Sequence, residues 1–396
     1  MKSDWKTDTI ENICVRICSG GTPSRKHPEY YLNGSIPWLN TSEIDFSRIY
    51  KTENKISSIG LKNSSAKWIP TNAVIVAMYG ATAGKVAISG IPLTTNQACC
   101  NLIIDEKYAD YRYVYYYLCH NYIRLSSLAN GGAQQNLSVS LLKNFQIVLP
   151  KVEVQKKIAA ILSALDEKIA INRAINENLE RQAQSYFHEL FVDNTDSEWT
   201  TGTISNLGTV VGGSTPSKAK PEYYTESGIA WITPKDLSIN KSKFISRGEN
   251  DITELGLKNS SATIMPEGTV LFSSRAPIGY IAISVGEVTT NQGFKSVVPK
   301  PEIGTPFVYF FLKNTLPVIE GMASGSTFKE VSGSTMKNVP AVIPDAETLA
   351  KFNDFCAPIF AQQRFLEEQN QSLANLRDNL LPKLMSGEID VSITEL

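Results

Sequence analysis

Two short runs in the chain contain residue types that could bind phosphate or a metal ion. The loop Gly80–Lys85 is similar to a nucleotide-binding phosphate loop, but three residues separate its glycines instead of four, and Val86 stands where a serine or threonine would bind magnesium. Cys14 and Cys18 have a spacing that metal ligands tolerate, but no second pair with ligand spacing follows. We therefore expect neither a nucleotide site nor a metal site, and Lys85 is left either to contact a nucleic-acid phosphate or to be solvated.

The composition is that of a globular protein with room for two domains of ordinary size. The chain has 396 residues, of which 42% are hydrophobic and 19% are charged. It contains no run of about 18 or more apolar residues, and Met1–Lys6 lacks the apolar core of a signal peptide. Its six cysteines are scattered without a paired framework, which favours a reducing compartment. We therefore expect a cytoplasmic protein without a membrane span.

The charges are distributed unevenly, although the formal net charge is only −1. Residues 1–150 contain 15 Lys and Arg against 10 Asp and Glu, a net charge of +5, and residues 197–344 have a net charge of +1. Residues 151–196 and 345–396 are acidic, with net charges of −2 and −5. This pattern fits ordinary scatter on a soluble surface, and it equally fits a basic binding face whose charge is masked by acidic helices.

The strongest signal in the chain is an internal duplication with an offset close to 194 residues. The run Gly60–Ala66 returns letter for letter at Gly256–Ala262. Three further segments recur in the same order, namely Thr22–Ser24 at Thr215–Ser217, Pro28–Tyr31 at Pro221–Tyr224, and Thr94–Gln97 at Thr289–Gln292. The three histidines (His27, His120 and His188) have no counterpart in the second copy, so a serine or cysteine hydrolase is unsupported.

Each copy divides into a globular part and a long helix. Short β-branched runs bounded by turn residues predict strands, and one helix is expected near residues 109–126, with a counterpart near 306–317. No Gly or Pro occurs from Val152 to Asp193, which predicts an uninterrupted helix. We therefore predict an α+β fold with two tandem, similar, mixed α/β recognition domains, each followed by a long helix. The expected bounds are domain 1 at 1–150, helix 1 at 151–193, domain 2 at 197–344, helix 2 at 345–386 and a C-terminal tail at 387–396.

The two long helices have the same apolar seam, whose residues step by three and four along the chain. The seam contains Ile158, Leu162, Leu165, Ile169, Asn176 and Leu179 in the first helix, and Ile359, Leu366, Asn370, Leu373 and Leu380 in the second. Asn176 and Asn370 occupy the same slot, and a buried Asn commonly fixes the register of paired helices. We therefore predict that the helices pair as an antiparallel coiled coil and act as a spacer. The alternative is that each helix packs on its own domain. Pro358 predicts a kink or a late start in the second helix.

Some loops are shared by the two copies and others differ. Trp38 and Trp231 are repeated, and we expect both to pack in the core. Asn96-Gln97 and Asn291-Gln292 are also repeated; they could read adenine, but we expect them to fix a loop by hydrogen bonds. By contrast, residues 79–85 differ strongly from residues 275–280, and residues 131–136 differ from residues 325–330. Divergent loops on a common frame suit a ligand with two similar but non-identical subsites, such as duplex DNA.

The order, spacing and duplication of these segments resemble those of the specificity subunit of type I restriction–modification systems. The matching segments are Gly21–Ser24 with Thr215–Ser217, Ile36–Trp38 with Ile229–Trp231, Gly60-Leu61 with Gly256-Leu257, Asn96-Gln97 with Asn291-Gln292, and Leu149-Pro150 before Gln155–Ile158. The resemblance covers essentially the whole chain. It implies a non-catalytic, sequence-specific DNA-binding subunit that reads a split, asymmetric target.

The resemblance also implies a set of partners. These are double-stranded DNA, two adenine-N6 methyltransferase subunits and restriction subunits, with S-adenosylmethionine, ATP and Mg on the partner subunits and no cofactor on this chain. Half-sites whose centres lie one helical turn apart, about 34 Å, leave an unread gap of roughly five to seven base pairs. The alternative function is a two-headed scaffold that binds protein or polysaccharide without DNA specificity.

Base contacts are expected from residues that differ between the copies, because two different half-sites require two different readouts. In the first domain the candidates are Arg25, Lys26, Tyr79, Lys85, Gln134 and Gln135. In the second domain they are Lys218, Lys220, Arg275, Tyr280, Phe328 and Lys329.

Overall fold

The computed structural model describes residues 5–129, 136–325 and 329–392. The chain forms two compact units: unit 1 comprises Met1–Ile169 together with Ser372–Leu396, and unit 2 comprises Ala170–Gln371. Each unit contains one mixed sheet-and-helix domain and a segment of each long helix. The α+β fold with two similar domains and two long helices is therefore confirmed.

The sheets of unit 1 position its loops. Its strands are β1 (Lys6–Thr9), β2 (Cys14–Ser19), β3 (Ile36–Leu39), β4 (Ser47–Ile49), β5 (Asn54–Ile56), β6 (Trp68–Ile69), β7 (Val74–Ala77), β8 (Val86–Ser89), β9 (Leu93–Thr95), β10 (Cys99–Ile104) and β11 (Gln146–Leu149). They form sheets of order β2-β10-β7-β8-β4, β5-β3-β9-β6 and β1-β11. Alternate residues of β7 enter two different cores, with Val74 and Val76 in one and Ile75 and Ala77 in the other. This follows from the two-residue period of a strand that is covered on both faces.

The helices of unit 1 are short except for the first long helix. They are α1 (Ser58–Lys62), α2 (Tyr111–His120), α3 (Tyr122–Leu128), α4 (Val139–Lys143) and α5 (Val152–His188). The helix expected near residues 109–126 is thus two helices, α2 and α3. The Asp110 carboxylate begins α2 by accepting hydrogen bonds from the Arg112 and Tyr113 amides, as an N-cap residue does.

The strands of unit 2 repeat the order of unit 1. They are β12 (Thr200–Thr203), β13 (Gly208–Gly212), β14 (Tyr224–Thr225), β15 (Ile229–Ile232), β16 (Phe244–Ile245), β17 (Asn250–Ile252), β18 (Val270–Ser274), β19 (Ile278–Ser284), β20 (Thr289–Thr290), β21 (Lys295–Pro299) and β22 (Pro340–Ile343). The sheet β13-β21-β18-β19-β16 has the order of β2-β10-β7-β8-β4, and β12-β22 that of β1-β11. A further sheet has the order β14-β17-β15-β20. The duplication in the sequence is therefore a duplication of topology in the first two sheets, and the third shares only the order β17-β15-β20 with β5-β3-β9 of unit 1.

The helices of unit 2 include the counterpart of α2 and the second long helix. They are α6 (Ile204–Leu207), α7 (Pro234–Ile239), α8 (Glu254–Lys258), α9 (Thr305–Met322), α10 (Gly333–Lys337) and α11 (Ala346–Ser386). Of the two effects predicted from Pro358, the late start is wrong, because α11 begins at Ala346 and continues through the proline, and the kink stays a prediction. Cys356 and Ile359 beside it are buried in the core of unit 2, so packing outweighs the one main-chain hydrogen bond that proline removes.

The two long helices pair in opposite directions. In unit 2 the side-chain amide of Asn172 donates to Asn370 Oδ1 at 2.9 Å, and the side-chain amide of Asn176 donates to the main-chain carbonyl of Gln363 at 3.3 Å. As the residue numbers rise along α5, those of their partners in α11 fall, so the two helices run antiparallel, as the seam predicts. The same segments also pack on the domains, since Ile158 and Leu162 of α5 join the sheet core of unit 1. Pairing and packing on the domain, weighed above as alternatives, thus occur together.

A buried charge cluster joins the sheet part of unit 2 to its helix segments. Lys243 Nζ lies 2.7 Å from Glu180 Oε2 and donates to Gln363 Oε1 at 2.8 Å, and its side chain is only 7% exposed. Glu180 also pairs with Lys313 at 2.5 Å. Burial alone would raise the pKa of Glu180, but Lys243 and Lys313 outweigh it and hold this pKa at about 2. Burial lowers the pKa of Lys243 to about 8 against the opposing effect of Glu180.

The C-terminal segment completes the core of unit 1. Val391 is buried with Leu384 and Met385 in the cluster that contains the α2 tyrosines. Lys157 Nζ donates to the Ser392 carbonyl at 2.8 Å, which holds this segment against α5.

Candidate nucleic-acid interface

The repeated Thr-Pro-Ser loops are fixed by the same two side chains in each unit. In unit 1 the Tyr31 hydroxyl donates to the Pro23 carbonyl at 2.5 Å, and Trp38 Nε1 donates to the Gly21 carbonyl at 2.9 Å. In unit 2 the corresponding bonds run from Tyr224 to Pro216 at 2.6 Å and from Trp231 to Ser214 at 3.0 Å. Both tryptophans are buried, so the core packing predicted for them is confirmed.

The repeated Asn-Gln pairs hold a second loop beside the first. Asn96 Oδ1 accepts from the Ala98 amide at 3.1 Å, and Asn291 Oδ1 accepts from the Gly293 amide at 2.8 Å. The Thr22 hydroxyl donates to the Gln97 side chain, and that of Thr215 donates to Gln292. These hydrogen bonds fix the loop, as we expected for both pairs.

The two loops that diverge most between the copies lie side by side in each unit. In unit 1 the Leu137 amide donates to the Met78 carbonyl at 2.7 Å, and the Met78 amide donates to Ala98 at 2.8 Å. In unit 2 the Val331 amide donates to the Ser274 carbonyl at 3.0 Å, and the Ser274 amide donates to Gly293 at 2.7 Å. A shared chain of hydrogen bonds therefore gathers the loops at one edge of the main sheet. We call this the loop edge: residues 22–27, 78–85, 96–98 and 136–137 in unit 1, and residues 215–220, 274–280, 291–293 and 329–331 in unit 2.

The predicted contact residues of unit 1 are partly free and partly engaged. Arg25 and Lys26 are exposed; burial raises the pKa of the neighbouring Tyr31, and Arg25 opposes this rise. Tyr79 is exposed and forms an isolated β-bridge with Asn136. Lys85 Nζ lies 2.8 Å from Asp45 Oδ1, which supplies the partner that its sequence neighbourhood does not reveal. Gln134 and Gln135 lie outside the described residues.

Two of the predicted residues of unit 2, Arg275 and Lys329, line a concave site. Lys218 and Lys329 are exposed, and Lys220 Nζ lies 3.7 Å from Glu222 Oε1. Arg275 Nη1 lies 3.3 Å from Glu330 Oε2. Tyr280 packs against the apolar cluster of the sheet instead of projecting freely. Phe328 lies outside the described residues.

The sequence reasoning did not select Glu330, which lies at the loop edge of unit 2, or Lys295, which lies at the start of β21 beside it. Glu330 lies within a loop that diverges between the copies but is not among the predicted contact residues. Lys295 Nζ lies 3.8 Å from Glu330 Oε1, and burial lowers the pKa of Lys295. The sequence does contain a signal for Lys295: the first copy has the apolar Cys100 at the same position, so the two copies differ there in charge.

Burial determines the protonation state of the Cys14 and Cys100 thiols. Burial raises the pKa of Cys14 to about 12 and that of Cys100 to about 12, so both thiols are protonated at neutral pH. Over residues 5–129, 136–325 and 329–392, no group of three or more His, Cys, Asp or Glu could hold a metal ion. Within the same ranges, no helix is both long and apolar enough to cross a bilayer.

The fold and the loop edge define a tandem-repeat protein, in which one frame is used twice and different side chains are presented at the same edge. A family profile described as "Type I restriction modification DNA specificity domain" matches residues 2–181 and 196–373. The chain therefore belongs to this family, and the resemblance drawn from its repeated segments is confirmed.

Individual relatives agree with this assignment. The MjaIX specificity subunit of Methanocaldococcus jannaschii is 38% identical over 194 residues, which span 47% of this chain and 45% of that protein. The match thus covers about half the length of that relative. The HindI specificity subunit of Haemophilus influenzae is 23% identical and is matched over 98% of this chain and 100% of its own length. A crystal structure of the S subunit of a type I system from M. genitalium has the same fold, with a TM-score of 0.62, 20% identity and 96% of each chain covered.

Proposed function

We propose that the chain is the sequence-specific DNA-binding subunit of a type I restriction–modification enzyme and that it carries out no chemistry itself. Each unit would read one short half-site of a split, asymmetric target with its loop edge. The observation that carries this proposal is the difference between the two loop edges on an otherwise repeated frame. An identical pair of loop edges would suit a palindrome, whereas the positions of Tyr79 and Asn136 in unit 1 are occupied by Arg275 and Glu330 in unit 2.

The shared and the divergent parts of the loop edge would have different tasks. Contacts to phosphates position a protein on DNA without reading sequence, and contacts to base edges provide specificity. Gln97 and Gln292 are exposed, repeated and held by threonines, which suits positioning. Arg25, Lys26, Lys218 and Lys220, on the neighbouring loop, would contact phosphates or bases.

The long helices would set the gap between the half-sites. α5 has 37 residues, a length of about 55 Å at 1.5 Å per residue. This exceeds the roughly 34 Å between half-sites that lie one turn apart. Half-sites of about three to five base pairs whose centres lie one turn, about ten base pairs, apart would leave an unread gap of roughly five to seven base pairs.

The partners would be two adenine-N6 methyltransferase subunits and restriction subunits, which would supply S-adenosylmethionine, ATP and Mg. Support comes from large apolar side chains that remain exposed on the long helices, among them Ile171, Phe365 and Leu376. Exposed apolar residues of this size mark surfaces that another chain can cover.

Binding of the assembled methyltransferase complex to duplex DNA tests the proposal. We expect affinity that falls steeply with salt, because phosphate contacts release counterions. The control is the methyltransferase subunit without this chain. Salt-independent binding, or none by a demonstrably assembled complex, would favour the two-headed protein- or polysaccharide-binding scaffold instead.

A further inference from the structure

A pocket of about 700 Å³ opens at the loop edge of unit 2. Its walls come from both divergent loops, with Arg275 and Pro277 on one and Lys329 and Glu330 on the other, and Glu320 of α9 also lines it. Specific ligand sites combine a concave shape with a few converging polar groups. This pocket has that composition, and it lies where the two copies differ most.

The ion pair in this pocket is poorly suited to a purely structural role. The side chains of Arg275 and Glu330 are 38% and 39% exposed, and the closest N–O distance is 3.3 Å. An exposed pair of this kind contributes little to folding. Lys295, whose side chain is only 15% exposed, lies 3.8 Å from the other carboxylate oxygen of Glu330.

The same positions in unit 1 carry a different set of groups. Asn136 corresponds to Glu330, Cys100 to Lys295, and Tyr79 to Arg275. Asn136 and Tyr79 are both exposed and bridge each other through the main chain. The position therefore has a guanidinium and a carboxylate in one unit and a phenol and an amide in the other, on a backbone that is held alike in both.

We propose that Arg275 and Glu330 together read one G·C base pair in the half-site of unit 2; this rests on the function proposed above. The Arg275 guanidinium would donate to guanine O6 and N7, and the Glu330 carboxylate would accept from the cytosine N4 amino group, the donor–acceptor matches of the major groove. Guanine O6 and cytosine N4 of one base pair are themselves hydrogen-bonded, roughly 3 Å apart. Two protein groups held 3.3 Å apart can therefore reach both bases of the same pair.

Unit 1 would not read a G·C pair in this way, because it has no arginine–carboxylate pair at this position in the described residues. Asn136 would suit adenine, to which an Asn side chain can donate and accept together. The proposal thus predicts that the two half-sites differ in base composition at the corresponding position.

Methylation maps of three variants test the assignment. Arg275→Gln, Glu330→Gln and, as a control, Glu267→Gln are each expressed with the methyltransferase, and assembly of each complex is checked first. Glu267 pairs with Arg364 at the opposite end of β18 from Arg275. Arg275→Gln is expected to relax one G·C position in one half-site by about 5- to 150-fold, the range for loss of a bidentate contact. Glu330→Gln is expected to admit A·T at the same position, since Gln can bind adenine. The other half-site stays unchanged in both, and the control keeps the wild-type motif.

Each contrary outcome has a separate meaning. Assembled Arg275→Gln and Glu330→Gln complexes that both keep the wild-type motif overturn the assignment and leave the proposed function intact. Relaxation at an A·T position, or in both half-sites, also overturns it. A wild-type complex that methylates no split motif overturns the proposed function and this assignment together.

Discussion

Replacing Glu180 by glutamine tests how the sheet part of unit 2 is held to its helix segments. Glu180 is the carboxylate that Lys243 and Lys313 share, at 2.7 and 2.5 Å. Its pKa of about 2, against an ordinary value near 4.5, corresponds to about 3 kcal/mol of stabilisation at neutral pH. The Glu180 side chain is 23% exposed, so solvent screening reduces this figure, and we expect Glu180→Gln to lower the free energy of unfolding by about 2–3 kcal/mol.

The pH dependence gives this prediction a distinct signature. The folded-state pKa of Glu180 lies below its unfolded value, so its contribution is complete above about pH 4.5 and is lost as the pH falls towards about 2. The difference in stability between the wild type and Glu180→Gln should therefore shrink over this range. Lys243 behaves differently, because its pKa of about 8 lies below the ordinary value. Its buried charge destabilises the folded state below pH 8, and this effect is relieved between about pH 8 and 10.5.

Urea denaturation at several pH values measures the free energies, and hydrogen exchange at the Lys243 and Phe244 amides reports on unit 2 locally. Adding Lys243→Met to Glu180→Gln should recover most of the loss, because the buried lysine charge is then removed together with its carboxylate, and Lys313, whose side chain is 34% exposed, can be solvated. The methionine also packs on Phe360, which Lys243 Nζ overlies at 3.6 Å from the ring centre. Glu267→Gln, which removes a more exposed ion pair in the same unit, is the control. A Glu180→Gln loss no greater than that of the control, or one that persists at pH 2, would refute the reasoning.

Two further predictions follow from the helices and the C-terminal segment. Duplicating residues 163–169 of α5 together with residues 372–378 of α11 adds one heptad, about 10.5 Å, to each helix. Sequencing of methylated DNA should then show a gap that is wider by about three base pairs, with both half-sites unchanged. An unaltered gap would contradict the spacer role. Val391→Asp places a carboxylate at a position where the valine side chain is only 4% exposed. The substitution should therefore lower the free energy of unfolding, measured by urea denaturation, by about 2–4 kcal/mol. The control is Glu388→Gln, a substitution of an exposed neighbour, and an equal loss in both variants would show that the segment adds little to the core of unit 1.

Most of the fold could be predicted from hydrophobic patterns that repeat every two to four residues. The β-branched run at Val74–Ala77 and the seam through Ile158 and Leu162 are local signals, because strands repeat every two residues and paired helices every three or four. The duplication supplied the rest of the frame, since each repeated segment could be checked against its copy. Trp38 and Trp231 are an example: their repetition indicated a shared structural role, and both donate to the main chain of the Thr-Pro-Ser loop.

Contacts between distant residues could not be predicted from the same patterns. Lys85 pairs with Asp45 and Arg275 with Glu330, and no periodic signal connects residues so far apart. Tyr280 has an aromatic ring and a polar group, which suits a contact residue as well as a core residue, and only tertiary packing decides that it lies against the sheet. The choice of contact residues therefore stays a prediction, whereas the loop edge that gathers most of them follows from the hydrogen bonds of the frame.

A methylation map tests the central claim most directly. The chain is expressed with its partner adenine methyltransferase subunit in a host that lacks adenine methylation, and the DNA is sequenced for modified bases. We predict N6-methyladenine confined to one split, non-palindromic motif with a gap of roughly five to seven base pairs, and none when this chain is omitted. An assembled complex that adds no methylation, or that methylates the same positions without this chain, would contradict the proposed role in DNA recognition.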